Sequence, residues 1–256
     1  MYKRVWTVAK INLRHWQGLY AVTIAFFLVM AIQTVVLLIF HRNGTNVGNQ
    51  SLISAGNMLW LLPFMAGIAM PAHNFRRIVN LGGKRENFFW GSLCTYAILA
   101  AGLSLANSLI YYLISRPIIR AEIFMPFSPG YFSDETFIPF APGHIGGIAN
   151  LMEVFGWTQN GAIIAFLQQF AFLFLLATFI HTLTAIQGKW YGWFTNAAII
   201  AIISVFTPIA PLRRALVGFF NLILTHETAA IQIAACIVIG LVVYMINKPL
   251  LARKVI

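Results

Sequence analysis

The residues of this chain that could carry chemistry are few and lie far apart. His226 and Glu227 begin like a zinc-hydrolase motif, but Thr-Ala-Ala follows them, so the second histidine ligand is missing. The stretch Leu81-Gly-Gly-Lys-Arg contains a Gly-Lys pair, yet it lacks the upstream glycine and the following Ser or Thr of a phosphate-binding loop. No Gly-x-Ser-x-Gly elbow is present. The sequence therefore predicts no enzymatic activity and no cofactor or metal site in this chain.

Composition places the chain in a membrane. Hydrophobic residues make up 60% of the 256 positions and charged residues 9%, against about 25% charged in soluble domains. This argues against a soluble enzyme and against a free nucleic-acid-binding protein. The two cysteines, Cys94 and Cys236, lie in apolar runs and are interpreted as small hydrophobic residues without a disulfide.

Long apolar runs predict the elements that must position any site. A helix needs about 20 mostly apolar residues to cross the hydrocarbon core of a bilayer. Inside the bilayer the backbone must satisfy its own hydrogen bonds, which favours helices. We therefore predict an all-α polytopic membrane protein, a single domain over residues 1–256. Its six transmembrane helices are predicted at residues 19–40, 56–75, 88–115, 159–186, 194–211 and 229–247.

The distribution of charge predicts the orientation. With six spans, the side that holds both termini carries 12 basic residues and one acidic residue, a net 12 − 1 = +11, and the other side carries 5 − 5 = 0. The positive-inside rule then predicts that both termini are cytoplasmic. Because topology accounts for the whole excess of +11, no nucleic-acid partner is expected.

Three segments outside the spans have distinct patterns. Residues 1–18 combine basic residues with an apolar stripe, which favours an interfacial helix over a simple basic flank. Residues 116–158 are rich in Pro, Gly and aromatic residues, and we expect an outer cap with a re-entrant piece at 144–156. A short helix at 215–224 is expected to dip back into the outer leaflet.

The loop at residues 73–87 is short and basic, but it is also rich in bulky apolar residues. Its pattern predicts a short helix at 75–81 that ends at Gly82–Gly83. Two interpretations are open: the loop docks in a groove of a cytoplasmic partner, or it is a positive-inside loop whose long side chains snorkel.

Polar residues within the spans are neutral. His181 is expected to make a helix–helix hydrogen bond rather than relay protons, because no span contains a carboxylate partner. The absence of Asp and Glu also argues against an ion-coupled carrier. A minority of the neutral groups could line a substrate path, although most such groups join helices. The candidates are Gln33, Asn57, Gln168 and Gln169.

The segment from Arg77 to Gly91 resembles a recurring stretch of ABC-2 type permeases from Gram-positive bacteria. The matching positions are Leu81, Gly82, Lys84, Arg85, Phe88, Phe89 and Gly91. The resemblance implies the membrane subunit of a bacterial ABC exporter in the plasma membrane, with a second permease chain. A separate cytoplasmic ATPase dimer would hold ATP and Mg. The implied cargo is a peptide, a lantibiotic or an amphipathic drug.

The resemblance also implies roles for individual residues of this loop. Arg76, Arg77, Lys84, Arg85 and Glu86 would bind the rim of the ATPase, and Phe75, Ile78 and Leu81 would fill its groove. Three other classes stay open: a small membrane enzyme, an ATPase-independent immunity or sensor protein, and a structural subunit of a larger membrane complex.

Overall fold

A computed structural model describes residues 2–15, 52–53, 59–115, 148–187 and 190–252, and scattered helical positions between residues 21 and 39. These residues are predominantly helical. The described α-helices, in chain order, are α1 (Tyr2–His15), α2 (Leu61–Ala69), α3 (Phe75–Asn80), α4 (Arg85–Ile110), α5 (Leu151–Val154), α6 (Ala162–Ile186), α7 (Trp190–Phe206), α8 (Ala210–Leu224) and α9 (Ala229–Ala252).

Several short elements connect these helices. A π-helical segment, Met70–Asn74, joins α2 to α3, a second one, Tyr111–Ser115, extends α4, and a 3-10 turn, Trp157–Asn160, precedes α6. Two two-residue strands, β1 (Leu52–Ile53) and β2 (Ile148–Ala149), pair in parallel with Leu52 opposite Ile148. This pair involves four residues, and the described part of the chain is otherwise helical, in agreement with the predicted all-α class.

Three helices in the described part of the chain are long and apolar enough to cross a membrane. They are Arg85–Leu113, Ala162–Ile186 and Ala229–Pro249, and they correspond to the predicted third, fourth and sixth spans. A fourth candidate exists only if Gly192–Phe206 and Ala210–Leu224 are taken together, and these two helices meet at a bend of 116°.

Two predicted spans differ from the structure in detail. In the second, the chain is helical from residue 59 to 80, but its α-helical part α2 has only nine residues before the helix changes to π geometry at Met70. Pro71 lies in that segment and lacks the N–H that a regular α-helix would use. In the fifth, α7 ends at Phe206 instead of residue 211, shortly before Pro208.

The first predicted span is described only in part. The positions that are described between residues 21 and 39 are helical, and their large apolar side chains are exposed. Ile24, Leu28, Ile32, Val35 and Ile39 recur every three or four residues, so they form one apolar face of a helix. An apolar helix face without protein cover suits a lipid environment.

Helix α6 lies at the centre of the bundle and packs against α2, α4 and α9. Its apolar residues occur on all sides, as expected for a helix surrounded by protein and lipid. The approach of α2 is close, since a Cβ on Gly67 would lie 2.9 Å from the Cβ of Ile180. Hydrogen bonds between helices add to this packing. Asn247 Nδ2 of α9 donates to Thr182 Oγ1 of α6 at 2.7 Å, and the Tyr244 hydroxyl of α9 donates to the Phe89 carbonyl of α4 at 2.7 Å.

Candidate functional site

Residues 75–86, which we call the basic hairpin, form helix α3, a tight turn and the first residues of α4. Its chemistry is cationic, with four basic residues and one acidic residue. The predicted short helix at 75–81 and its stop at Gly82–Gly83 are confirmed, since α3 spans Phe75–Asn80 and Gly82 has a φ of +79°.

The turn of the basic hairpin is a Schellman motif. The N–H of Gly83 donates to the Ile78 carbonyl at 2.9 Å, and the N–H of Gly82 donates to the Val79 carbonyl at 3.0 Å. This pattern needs a residue in the left-handed conformation after the helix end, which glycine adopts at little cost. A Cβ on Gly83 would also lie 2.6 Å from Cγ2 of Ile78, so both glycines are required for a compact turn.

A buried polar network connects the base of the hairpin to α1. Asn74 Nδ2 donates to Asn12 Oδ1 at 2.9 Å, and Asn12 Nδ2 reaches Thr95 Oγ1 at 3.5 Å. All three side chains are buried. Sequence reasoning missed this network because its members are 62 and 83 positions apart. The sequence signal was weak, because the apolar stripe of residues 1–18 passes through either Ile11 or Asn12.

The predicted N-terminal helix is confirmed as a helix, and its inner face packs on α4. Val8 and Ala9 are buried, and Gly91 of α4 allows the approach because a Cβ there would lie 2.5 Å from Cγ1 of Val8. Trp6 and Ile11 remain exposed. Helix α1 is thus a fixed part of the bundle at the base of the basic hairpin.

The structure divides the hairpin residues into two groups. Phe75 and Ile78 are buried inside this chain, with 1% and 4% exposure, and the Phe75 ring packs edge-on against Phe88 at a centroid distance of 5.2 Å. The expectation that Phe75 and Ile78 fill a partner's groove is therefore wrong in this conformation. The spacing of these apolar residues reflects their contacts with the core of this chain. Of the other hairpin residues proposed to meet the ATPase, Arg76, Arg77, Leu81, Lys84 and Glu86 are exposed, while Arg85 is half-buried.

A groove of about 450 Å³ lies between α1 and the basic hairpin. Leu81 lines this groove and has 74% exposure. Arg4 on one wall and Lys84 on the other make the groove cationic at both sides. The groove is lined by Arg4, Thr7, Val8, Ile11, Ile78, Leu81, Gly82, Gly83, Lys84 and Asn87.

The residues proposed for a substrate path are not brought together as one set. Gln33 and Asn57 lie outside the described residues. Gln168 and Gln169 are both buried on α6. Gln168 donates to Gln232 Oε1, whereas neither amide atom of Gln169 has a hydrogen-bond partner among the described residues. The two amides thus have different surroundings, as their offset of about 100° on a helix predicts.

Other chemistry is sparse in the part of the chain that is described. No group of three or more His, Cys, Asp or Glu residues there could hold a metal ion. His181 is buried, and its Nδ1 shares a hydrogen bond with the Tyr96 hydroxyl. This is the predicted helix–helix hydrogen bond, because Tyr96 lies on α4 and His181 on α6. Burial raises the pKa of Glu153 on α5 from 4.5 to about 7.

Comparison of the chain with protein-family models, with curated proteins and with solved structures gives no match in any of the three.

Proposed function

We propose that this chain is the membrane-spanning permease subunit of an ATP-binding cassette exporter, driven by a separate cytoplasmic ATPase dimer. In this proposal the chain crosses the plasma membrane of a Gram-positive bacterium six times, with both termini in the cytoplasm, and pairs with a second permease chain. Its cargo is a peptide, a lantibiotic or an amphipathic drug-like molecule. Three or four helices that could cross a membrane are in keeping with this topology.

The observation that carries the proposal is the rigidly held basic hairpin with its exposed leucine. A loop that only joined two helices would have no need for a buried polar anchor and an exposed apolar side chain at its tip. The hairpin exposes one large apolar residue, Leu81, together with the basic residues Arg76, Arg77 and Lys84. This combination suits a small protein interface with an apolar centre and a charged rim.

The corrected division of the hairpin changes the proposed contact. Leu81 and the groove beside it receive the apolar part of the ATPase, and Arg76, Arg77, Lys84, Arg85 and Glu86 meet its charged rim. Phe75 and Ile78 transmit the force inward, because they connect the hairpin to the core. When the ATPase dimer closes on ATP and Mg, it displaces the hairpin. Asn74 and Phe88 then carry that displacement to α1 and α4.

The test is co-purification from native membranes. The tagged full-length chain is isolated in mild detergent, and ATP hydrolysis and nucleotide-binding subunits are measured in the eluate. Charge reversal of Arg76 and Arg77 to Glu, and separately Leu81→Glu, should each reduce the associated ATPase at least fivefold. The matched control reverses another adjacent arginine pair, Arg213 and Arg214, on the side predicted to be outer, and should leave the association unchanged.

Each possible result has a definite meaning. Leu81→Glu changes a side chain that is largely exposed, so loss of folding would not explain its effect, and thermal unfolding of both variants checks this directly. An ATPase that stays bound to both hairpin variants contradicts the proposal. A wild-type chain that moves its cargo without any ATPase favours the ATPase-independent immunity or sensor class instead.

A further inference from the structure

A second cavity, which we call the outer cavity, lies at the opposite end of α6 from the basic hairpin. Its volume is about 240 Å³, below the 300–1,000 Å³ typical of sites for drug-sized ligands, so it suits one end of a larger molecule. Both chain segments that form its mouth belong to regions predicted to lie outside the membrane. It is lined by Val154, Phe155, Gly156, Trp157, Gln159, Asn160, Gln168, Thr225, His226 and Glu227.

The wall of the outer cavity is held by a chain of hydrogen bonds that fixes the orientation of Gln168. Gln232 Nε2 donates to the carbonyls of Ile223 at 3.0 Å and Leu224 at 3.1 Å, which leaves Gln232 Oε1 as an acceptor. Gln168 must therefore present its Nε2 to Gln232. The Trp157 indole N–H also donates to the Leu224 carbonyl at 2.6 Å. Gln168, Trp157 and the end of α8 are thus joined in one arrangement.

This arrangement leaves one strong acceptor unused. Gln168 has 1% exposure, and its Oε1 has no hydrogen-bond partner among the described residues. An unsatisfied buried carbonyl costs about 1–3 kcal/mol. A side chain that is fixed by its donor end and unsatisfied at its acceptor end, in the wall of a cavity, indicates a ligand that donates a hydrogen bond.

The charge of the outer cavity selects among such ligands. Among the described residues of its lining there is no Lys or Arg, and the exposed Glu227 contributes one carboxylate. An anion would meet that carboxylate and the unsatisfied oxygen of Gln168, and a purely apolar molecule would leave this oxygen without a partner. The aromatic ring of Phe155 offers an apolar wall beside these acceptors, and the Nδ1 of His226 is already used as an acceptor for the N–H of Thr228 at 3.0 Å.

We propose that the outer cavity binds the ammonium head of an organic amine, with Gln168 Oε1 accepting an N–H hydrogen bond and Glu227 supplying the opposite charge. The carbon chain of the amine lies along Phe155. This site is independent of the ATPase partner proposed above, because binding requires only the residues of this chain.

Ligand-observed saturation-transfer NMR on the purified full-length chain in lipid nanodiscs tests this proposal. The probe is n-butylammonium, which is fully protonated at pH 7. Butan-1-ol has the same chain without the charge, and butyltrimethylammonium has the charge without an N–H donor. We expect saturable binding of n-butylammonium that is at least fivefold tighter than binding of either comparison molecule.

Two variants and a control connect the binding to the named residues. Glu227→Gln changes an exposed side chain and should weaken binding of n-butylammonium at least threefold without affecting folding. Gln168→Leu should weaken it at least tenfold. Since this variant also loses the bond to Gln232, thermal unfolding is measured in parallel, and Glu227→Gln decides the matter if Gln168→Leu does not fold. The matched control, Glu86→Gln in the basic hairpin, should bind like the wild type.

Three results would overturn the proposal. The first is equal binding of n-butylammonium and butan-1-ol. The second is unchanged binding by Glu227→Gln. The third is binding of butyltrimethylammonium as tightly as n-butylammonium, because the role of Gln168 requires an N–H donor. None of these results affects the ATPase proposal, which is measured at the other end of the molecule.

Discussion

Replacement of Gly91 by Ala should loosen helix α1 from the bundle. A Cβ at this position would lie 2.5 Å from Cγ1 and 2.7 Å from Cβ of Val8, and 3.1 Å from the backbone carbonyl oxygen of Val5. Ordinary van der Waals contact begins near 3.4 Å. Two of the three atoms cannot move without their helix, so α1 and α4 must separate by roughly 1 Å.

That separation has a calculable cost. The Asn12–Thr95 hydrogen bond is already 3.5 Å long, so a shift of this size breaks it, and the 2.9 Å bond from Asn74 to Asn12 lengthens beyond useful range. Overpacking of a core costs about 1–3 kcal/mol, and each lost hydrogen bond adds about 1 kcal/mol. We expect a total loss of about 3–5 kcal/mol, concentrated at the contact of α1 with α4.

The assay compares thermal unfolding of the purified chain with the rate of tryptic cleavage after Lys10 in α1. Gly91→Ala should lower the Tm by roughly 5 °C or more and should speed up cleavage at Lys10. Gly102→Ala on the same helix is the matched control, because nothing lies within 4 Å of a Cβ there. Adding Val8→Ala to Gly91→Ala should restore part of the loss, since it removes the closest clashing atom.

The reasoning would be refuted if Gly91→Ala were as stable and as resistant to trypsin as Gly102→Ala. It would also be refuted if Gly91→Ala lowered the Tm while cleavage at Lys10 stayed unchanged, because the predicted damage is local to α1. A failure of Val8→Ala to recover any stability would show that Val8 is not the obstructing residue.

Three further changes test other parts of the structure. Gly82→Ala places a side chain at a φ of +79° and should cost about 1–2 kcal/mol, seen as a lower Tm, while Gly218→Ala, with open space around its Cβ, should be nearly neutral. Burial raises the pKa of Glu153 to about 7, so its contribution to stability is complete below about pH 4.5 and is lost as the pH rises through about 7. Glu153→Gln should remove this dependence from Tm measured between pH 4 and 8, and a wild-type Tm that is flat over that interval would contradict it. Tyr96→Phe deletes the hydrogen bond to His181 and should lower the free energy of unfolding by about 1–2 kcal/mol; an unchanged Tm would mean that this bond adds no net stability.

The long apolar helices could be predicted from the sequence because their signal is local. Helices α4, α6 and α9 each come from a continuous run of apolar residues. Whether such a run is surrounded by lipid or by protein, the helical conformation is favoured because it satisfies the backbone hydrogen bonds internally. The departures occur where a single residue changes the backbone. The π-helical segment at Pro71 and the bend after Phe206, next to Pro208, interrupt runs whose apolar composition alone predicts a continuous helix.

The candidate sites were less predictable because they depend on contacts between distant parts of the chain. The turn of the basic hairpin follows from Gly82 and Gly83, which are neighbours. In contrast, the role of Phe75 could not be decided from its spacing, since an apolar face docks equally well on a partner or on its own core. The outer cavity requires Gln168, Gln232 and Leu224 to meet across three elements, and their hydrogen bonds are invisible in the sequence.

The two sites lie near opposite ends of the same helix, and this placement constrains how they can work together. Gln168 and His181 are 13 positions apart on α6, about 20 Å along its axis. From His181 the contacts continue to the ring of Phe88 at a centroid distance of 6.4 Å and then to Phe75 of the basic hairpin at 5.2 Å. Closely packed side chains move together or rearrange between discrete positions. A displacement of the hairpin therefore reaches α6 through aromatic contacts, and α6 carries the acceptor of the outer cavity.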